Sequence, residues 1–122
     1  MNIRKSSEDY LEQILMIREQ KGEVRSIDIA AGLGVTKPSV SVAMKRLREN
    51  GYIQMDENNL ITLTDIGYKI ASNIYDRHKT LMHCLMLVGV SEKIAREDAC
   101  KIEHDLSEES FAAIRAQIRP AD

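Results

Sequence analysis

SIDIAAGLGVTKPSVSVAMKRLRENG, residues 26–51, holds two short apolar-periodic runs separated by one tight turn. Ser26 is read as a helix cap. Ile27, Ile29, Ala30 and Leu33, with Ala31, then make a short helix that Gly34 closes. Thr36 is a natural N-cap for the next helix. Pro38 falls in its first turn, where a missing N–H costs nothing. Val40, Ala43, Met44 and Leu47 recur at helical spacing, and Gly51 stops the run. Two short helices joined through a glycine turn predict a helix-turn-helix.

Working outward, Ser6 and Ser7 are expected to cap a helix starting near Glu8. Tyr10, Leu11, Ile14, Leu15 and Ile17 form its apolar face, and Gly22 ends it. Val24 and Arg25 read as extended. Downstream, residues 52–55 and 60–63 are β-prone runs around the polar turn Asp56-Glu57-Asn58-Asn59, which predicts a hairpin. Thr64 should cap a long helix over residues 65–88, along which Ile66, Ile70, Ile74, Leu81, Leu85 and Val88 keep helical spacing. Ser91 opens a helix to about His104, and Ser107 opens a last one toward Ile118, short of Pro120. The expected fold is mainly α: an N-terminal winged helix-turn-helix (1–64) followed by a helical dimerisation domain (65–122).

The bulk numbers fit that outline. At 122 residues the chain can bury only a modest core, so a subunit interface would add burial. No apolar run reaches the roughly 20 residues needed to cross a bilayer. The segment MNIRKSSEDY lacks an apolar signal core, so a cytoplasmic location is expected. Two cysteines, Cys84 and Cys100, make no disulfide framework; they read as thiols or metal ligands, with Cys84 in the core near a dimer interface. Net charge is −2, which by itself argues against a nucleic-acid binder. The distribution offsets this. Residues 1–50 carry nine Lys/Arg against seven Asp/Glu, and the remainder carries eight against twelve.

A helix-turn-helix presents the N-terminal residues of its second helix to base edges in the major groove. Thr36, Lys37, Pro38, Ser39 and Ser41 stand there, with Lys45 and Arg46 (and Arg48) further along. Short hydroxyls and cations suit contacts with phosphate and base edges. The same cations would also serve as a solvated helix face.

A second cluster has metal-ligand character. Asp9 and Glu12 are spaced i, i+3 on the first helix. Cys100, Glu103 and His104 are spaced i, i+3, i+4 on a later one, and His78 lies on the long helix between. A thiolate, a carboxylate and an imidazole on one face make a metal site plausible. Each residue also has an ordinary reading: acids near a helix N-terminus, a core or surface histidine, a small buried cysteine.

The segments SSEDYLEQILMI, RSIDIAAGLGVTKPSVSVAMKRL, GYI followed by ITLTDIG, DRHKTL and CKIEHDLSEE resemble, in order and spacing, the diphtheria toxin repressor and manganese transport regulator family. The resemblance covers nearly the whole chain. It implies a metal-activated dimeric repressor of operator DNA, with ligands from helix one and the dimerisation helices. Asp9, Glu12, His78, Glu103 and His104 match the manganese-type pattern. Cys100 departs from it, since that branch has glutamate there. The iron-type branch has cysteine at that place but methionine where this chain has Asp9. Met82 and Arg96 stand where the iron branch's ancillary site needs ligands, and the family's optional C-terminal SH3-like domain is expected to be missing. The implied cofactor is Fe²⁺ or Mn²⁺, with Co²⁺, Ni²⁺ and Zn²⁺ as in vitro substitutes. The implied partners are double-stranded operator DNA and a second copy of the chain, with no membrane.

Two rival readings remain. One is a winged-helix regulator that answers a small molecule or partner protein without metal. The other is a small metalloenzyme or cysteine hydrolase using Cys100 and His104. No Gly-rich phosphate loop or nucleophile elbow supports the second, and no enzymatic activity is expected.

Overall fold

α1 spans Lys5–Lys21, α2 Ser26–Leu33 and α3 Lys37–Glu49. Strands β1 (Ile53–Met55) and β2 (Ile61–Leu63) follow, then α4 (Asp65–Leu87), α5 (Glu92–Ile102) and α6 (Glu108–Gln117). These elements come from a computed structural model that describes residues 5–118; Pro120 lies outside them. The chain forms two compact units, residues 1–72 and 73–122, divided within α4. No helix among the described residues is long and apolar enough to cross a membrane.

The first unit is a winged helix. Thr36 caps α3 as expected: its Oγ1 accepts from the Ser39 N–H at 3.3 Å. Gly34 ends α2 in the left-handed conformation, φ 67°, which a residue with a side chain adopts only at a cost. Val35 N–H then reaches back to the Ala30 carbonyl at 3.1 Å. Leu11, Ile14, Ile29, Val40, Met44 and Leu47 are buried. The hairpin is antiparallel, pairing Ile53 with Leu63 and Met55 with Ile61. Val24 adds a further rung, since its carbonyl accepts from Ile61 N–H at 2.8 Å. Asp56 Oδ1 shapes the wing tip by accepting from the N–H groups of Asn58 (2.8 Å) and Leu60 (3.0 Å). Thr64 joins wing to α4: its hydroxyl donates to the Gly51 carbonyl at 2.6 Å and accepts from Gly67 N–H at 3.2 Å.

Several boundaries and faces differ from expectation. α1 is already helical at Lys5, the first described residue, so Ser6 and Ser7 lie inside the helix and do not cap one starting near Glu8. Arg25, not Ser26, is the N-cap of α2, since Asp28 Oδ2 accepts the Arg25 N–H at 3.0 Å. Asp28 also receives Lys21 Nζ at 2.6 Å, and that hydrogen bond, against the opposing pull of burial, holds its carboxyl below the usual range. Ile27 is 56% exposed, because an eight-residue helix has room for few inward positions and Ile29 and Ala30 take them. Ile66 and Val88, at either end of the expected stripe on α4, are exposed as well.

The second unit holds α4 from Asn73 onward, α5 and α6. Ser91 and Ser107 cap α5 and α6, their hydroxyls accepting from Ile94 and Ser110 N–H at 3.5 and 3.0 Å. α5 ends at Ile102, short of the expected His104, and Glu103 is its C-cap. Ile74, Leu81, Ala95, Ala99 and Phe111 are buried here, together with the polar Arg77, His78, Thr80 and Glu103. A buried polar set of this kind needs an electrostatic reason.

Candidate functional site

The candidate reading helix is α3. Thr36, Lys37, Pro38, Ser39, Ser41, Lys45 and Arg46 are all exposed. Thr36 and Ser39 are partly committed to each other, with their hydroxyl oxygens 2.9 Å apart. Sequence reasoning passed over Val42, which is 58% exposed on the same helix. Its position one helical turn after Pro38 and Ser39 was the available signal. An apolar side chain displayed among hydroxyls and cations can meet a thymine methyl in a major groove.

The second cluster is assembled from α4 and the end of α5. His78 Nδ1 stands 2.9 Å from Glu103 Oε1 and 3.7 Å from Cys100 Sγ. One ligand atom each from His78, Cys100 and Glu103 lies within 4.8 Å of the others. Cys100 and Glu103 reach the same place because residues three apart share a helix side. Glu103 is 0% exposed and its Oε2 has no hydrogen-bond partner among the described residues. Cys100 is exposed, so it is not the small core residue of the ordinary reading. The half-buried Cys84 does not belong to the cluster. His104 is half-buried on the turn that follows Glu103.

Asp9 and Glu12 belong to the first unit. They lie three residues apart on α1, Asp9 half-buried and Glu12 buried.

The Cys100 sulfur and then the Glu103 carboxylate hold the His78 imidazole in its charged form, raising its pKa to about 10 against the opposing effect of burial. A proton on Nδ1 thus sits among three donors that would otherwise turn their lone pairs on one point. A buried carboxylate oxygen with no partner, beside an imidazole and a thiol, is a donor set that fits a divalent transition metal. A metal there would replace the proton.

One more buried group borders the cluster and was missed in the sequence. Arg77, beside His78 on α4, donates from Nη1 to the carbonyls of Glu103 (3.1 Å) and Leu106 (2.7 Å), and from Nη2 to Glu108 Oε1 (2.8 Å). Its guanidinium carbon lies 5.0 Å from the Phe111 ring centroid. An arginine one residue from a candidate ligand was the only clue.

A winged helix with a cation-bearing reading helix, followed by a helical unit carrying a mixed S, N, O donor cluster, defines a metal-dependent DNA-binding regulator. The chain belongs to the iron-dependent repressor family: residues 2–59 match its N-terminal DNA-binding domain and residues 64–120 its metal-binding and dimerisation domain. It is 40% identical over 112 residues to the transcriptional regulator MntR of Escherichia coli O157:H7, covering 92% of this chain and 72% of that protein. It is 38% identical over 109 residues to the HTH-type transcriptional regulator MntR of Bacillus subtilis (strain 168), covering 89% and 77%. Among solved structures it resembles a manganese-dependent transcriptional repressor in complex with manganese, with TM-score 0.83, 27% identity and 91% of this chain covered. The chain spans about half of that structure's length, 51%.

Proposed function

We propose that this chain is a cytoplasmic, homodimeric repressor that binds operator DNA when Mn²⁺ or Fe²⁺ is bound, controlling metal-uptake genes. Residues 1–64 would form the DNA-binding domain and residues 65–122 the metal-binding and dimerisation domain. The ligand set is Asp9, Glu12, His78, Cys100, Glu103 and His104. The observation that carries the reading is the convergence of His78, Cys100 and Glu103, with a buried carboxylate oxygen left over.

A bound cation would supply the positive charge that lets a thiolate and carboxylates share one site. His78 would release its Nδ1 proton to solvent and offer that lone pair to the cation. Glu103 offers Oε1, released from the imidazolium, and Oε2. Asp9 and Glu12, on α1 of the first unit, would complete the set on this reading. Two reading helices must lie about 34 Å apart to enter successive major grooves. Occupancy of the site and DNA binding then favour one arrangement and reinforce each other, by roughly 1–3 kcal/mol. Thr36, Lys37, Pro38, Ser39, Ser41, Lys45 and Arg46 make the DNA contacts. Exposed Met86, Leu87, Val88 and Ile94 in the second unit leave apolar surface that supports a second copy as partner.

The test is anaerobic binding of the full chain to DNA from its own upstream region, with Mn²⁺, Fe²⁺, Co²⁺ and Zn²⁺ titrated against a chelator control. Metal-dependent binding that is lost in Glu103→Gln supports the reading. Equal affinity in chelator and in every metal overturns it, and points to a regulator that answers another ligand.

A further inference from the structure

We propose that Arg77 is a positioning residue for the metal centre, fixing the backbone of Glu103 so that its carboxylate meets the cation in one geometry. The inference rests on the reading that His78, Cys100 and Glu103 bind the metal.

The need for such a tie follows from where Glu103 sits. It is the C-cap of α5, outside the intrahelical hydrogen-bond ladder on its carbonyl side. Helix ends fray, and the last carbonyls need partners from elsewhere. Here Arg77 Nη1 is the partner of the Glu103 carbonyl at 3.1 Å, and it takes the Leu106 carbonyl at 2.7 Å as well. The main chain on both sides of the turn is therefore held by one rigid, planar group. Meanwhile His78 Nδ1 faces the Glu103 carboxylate at 2.9 Å. Two consecutive residues of α4 thus hold Glu103, one by its backbone and one by its side chain.

The clamp is braced from the far side. Arg77 Nη2 meets Glu108 Oε1 at 2.8 Å, and Phe111 stacks near the guanidinium, so α6 orients the arginine. The Glu108 side chain is 84% exposed, so its pairing with Arg77 is screened by solvent and orients more than it stabilises. Arg77 itself is 6% exposed by side chain. A guanidinium that deeply placed, spent on two main-chain carbonyls around one ligand, is expensive for a fold that needs only packing. Partners behind a metal ligand set its orientation, and their loss typically weakens metal binding by about 10–100-fold.

The experiment uses the full chain with Co²⁺ as probe, in wild type, R77K, R77M, E108Q and C100S. Three quantities are read: Co²⁺ affinity by competition, the d–d and thiolate-to-cobalt bands, and the thermal midpoint of the metal-free protein. R77K keeps the charge and stem but loses the fork. It is expected to bind Co²⁺ about tenfold or more weakly, with altered d–d bands, while the apo protein remains folded. E108Q should stay within about threefold of wild type. Wild-type affinity and spectrum in both R77K and R77M, with only a lower midpoint, would overturn the proposal and leave Arg77 a structural residue. If R77M does not fold, R77K alone decides. The underlying reading fails separately: a wild-type Co²⁺ spectrum with no thiolate band that C100S removes would show that the cluster is not the metal site.

Discussion

His78 Nδ1 and Glu103 Oε1 are 2.9 Å apart in a place where both side chains are shut off from solvent. The pair is held together by a proton, and a metal must compete with that proton for the same atoms.

This gives a pH dependence of defined sign. The His78 pKa is raised from 6.5 to about 10, by the Cys100 sulfur first and by Glu103 second. A raised imidazole pKa stabilises the folded apo protein fully below about pH 6.5, and the contribution is lost as pH climbs through about 10. Apo melts in chelator should therefore fall over that window, and H78N should flatten the dependence. Metal affinity should move the opposite way, gaining up to about tenfold per pH unit for each proton displaced. Calorimetry in buffers of different ionisation enthalpy would count the protons; a count of zero would refute the account.

Cys100 should tune which metal binds best. A thiolate favours softer ions, while carboxylates suit manganese. In C100S, affinities for Fe²⁺, Co²⁺ and Zn²⁺ should fall by about tenfold or more, and that for Mn²⁺ by less. Equal losses across the series would mean that the sulfur is not a ligand.

Gly67 should tolerate no side chain. A Cβ there would overlap the Tyr52 carbonyl oxygen, a backbone atom that cannot swing away. That carbonyl already accepts from Thr64 N–H at 3.0 Å where wing and α4 join. Gly67→Ala is expected to cost about 1–3 kcal/mol in urea unfolding. A loss under about 0.5 kcal/mol would mean that the junction is looser than this.

The exposed cations of α3 should act through phosphates. K45A and R46A should each weaken operator binding about equally across sequences and reduce the salt slope, d log K/d log [salt], by about one. A change in preferred sequence with the slope intact would place either residue at a base edge instead.

Much of the fold could be read without coordinates because its signals are local. Thr36 caps α3 through a residue three positions away, Gly34 turns the chain at a single φ, and Thr64 and Ser107 start helices in the same short-range manner. Exposure was less legible. Ile27 and Val42 have apolar side chains at helical spacing, and no window of sequence says which stripes will be covered. Cys100 is the same case in reverse, exposed where a cysteine is usually buried.

The order of helices and wing, and the spacing that puts Cys100 and Glu103 on one side of α5, are written in the chain, because both depend on contacts within a few residues. That His78, 25 residues before Glu103, meets its carboxylate, and that Arg77 grips its carbonyl across 26, comes from long-range packing. Those meetings are set by how α4 and the end of α5 pack, and side-chain chemistry spread over that distance carries no periodicity to read.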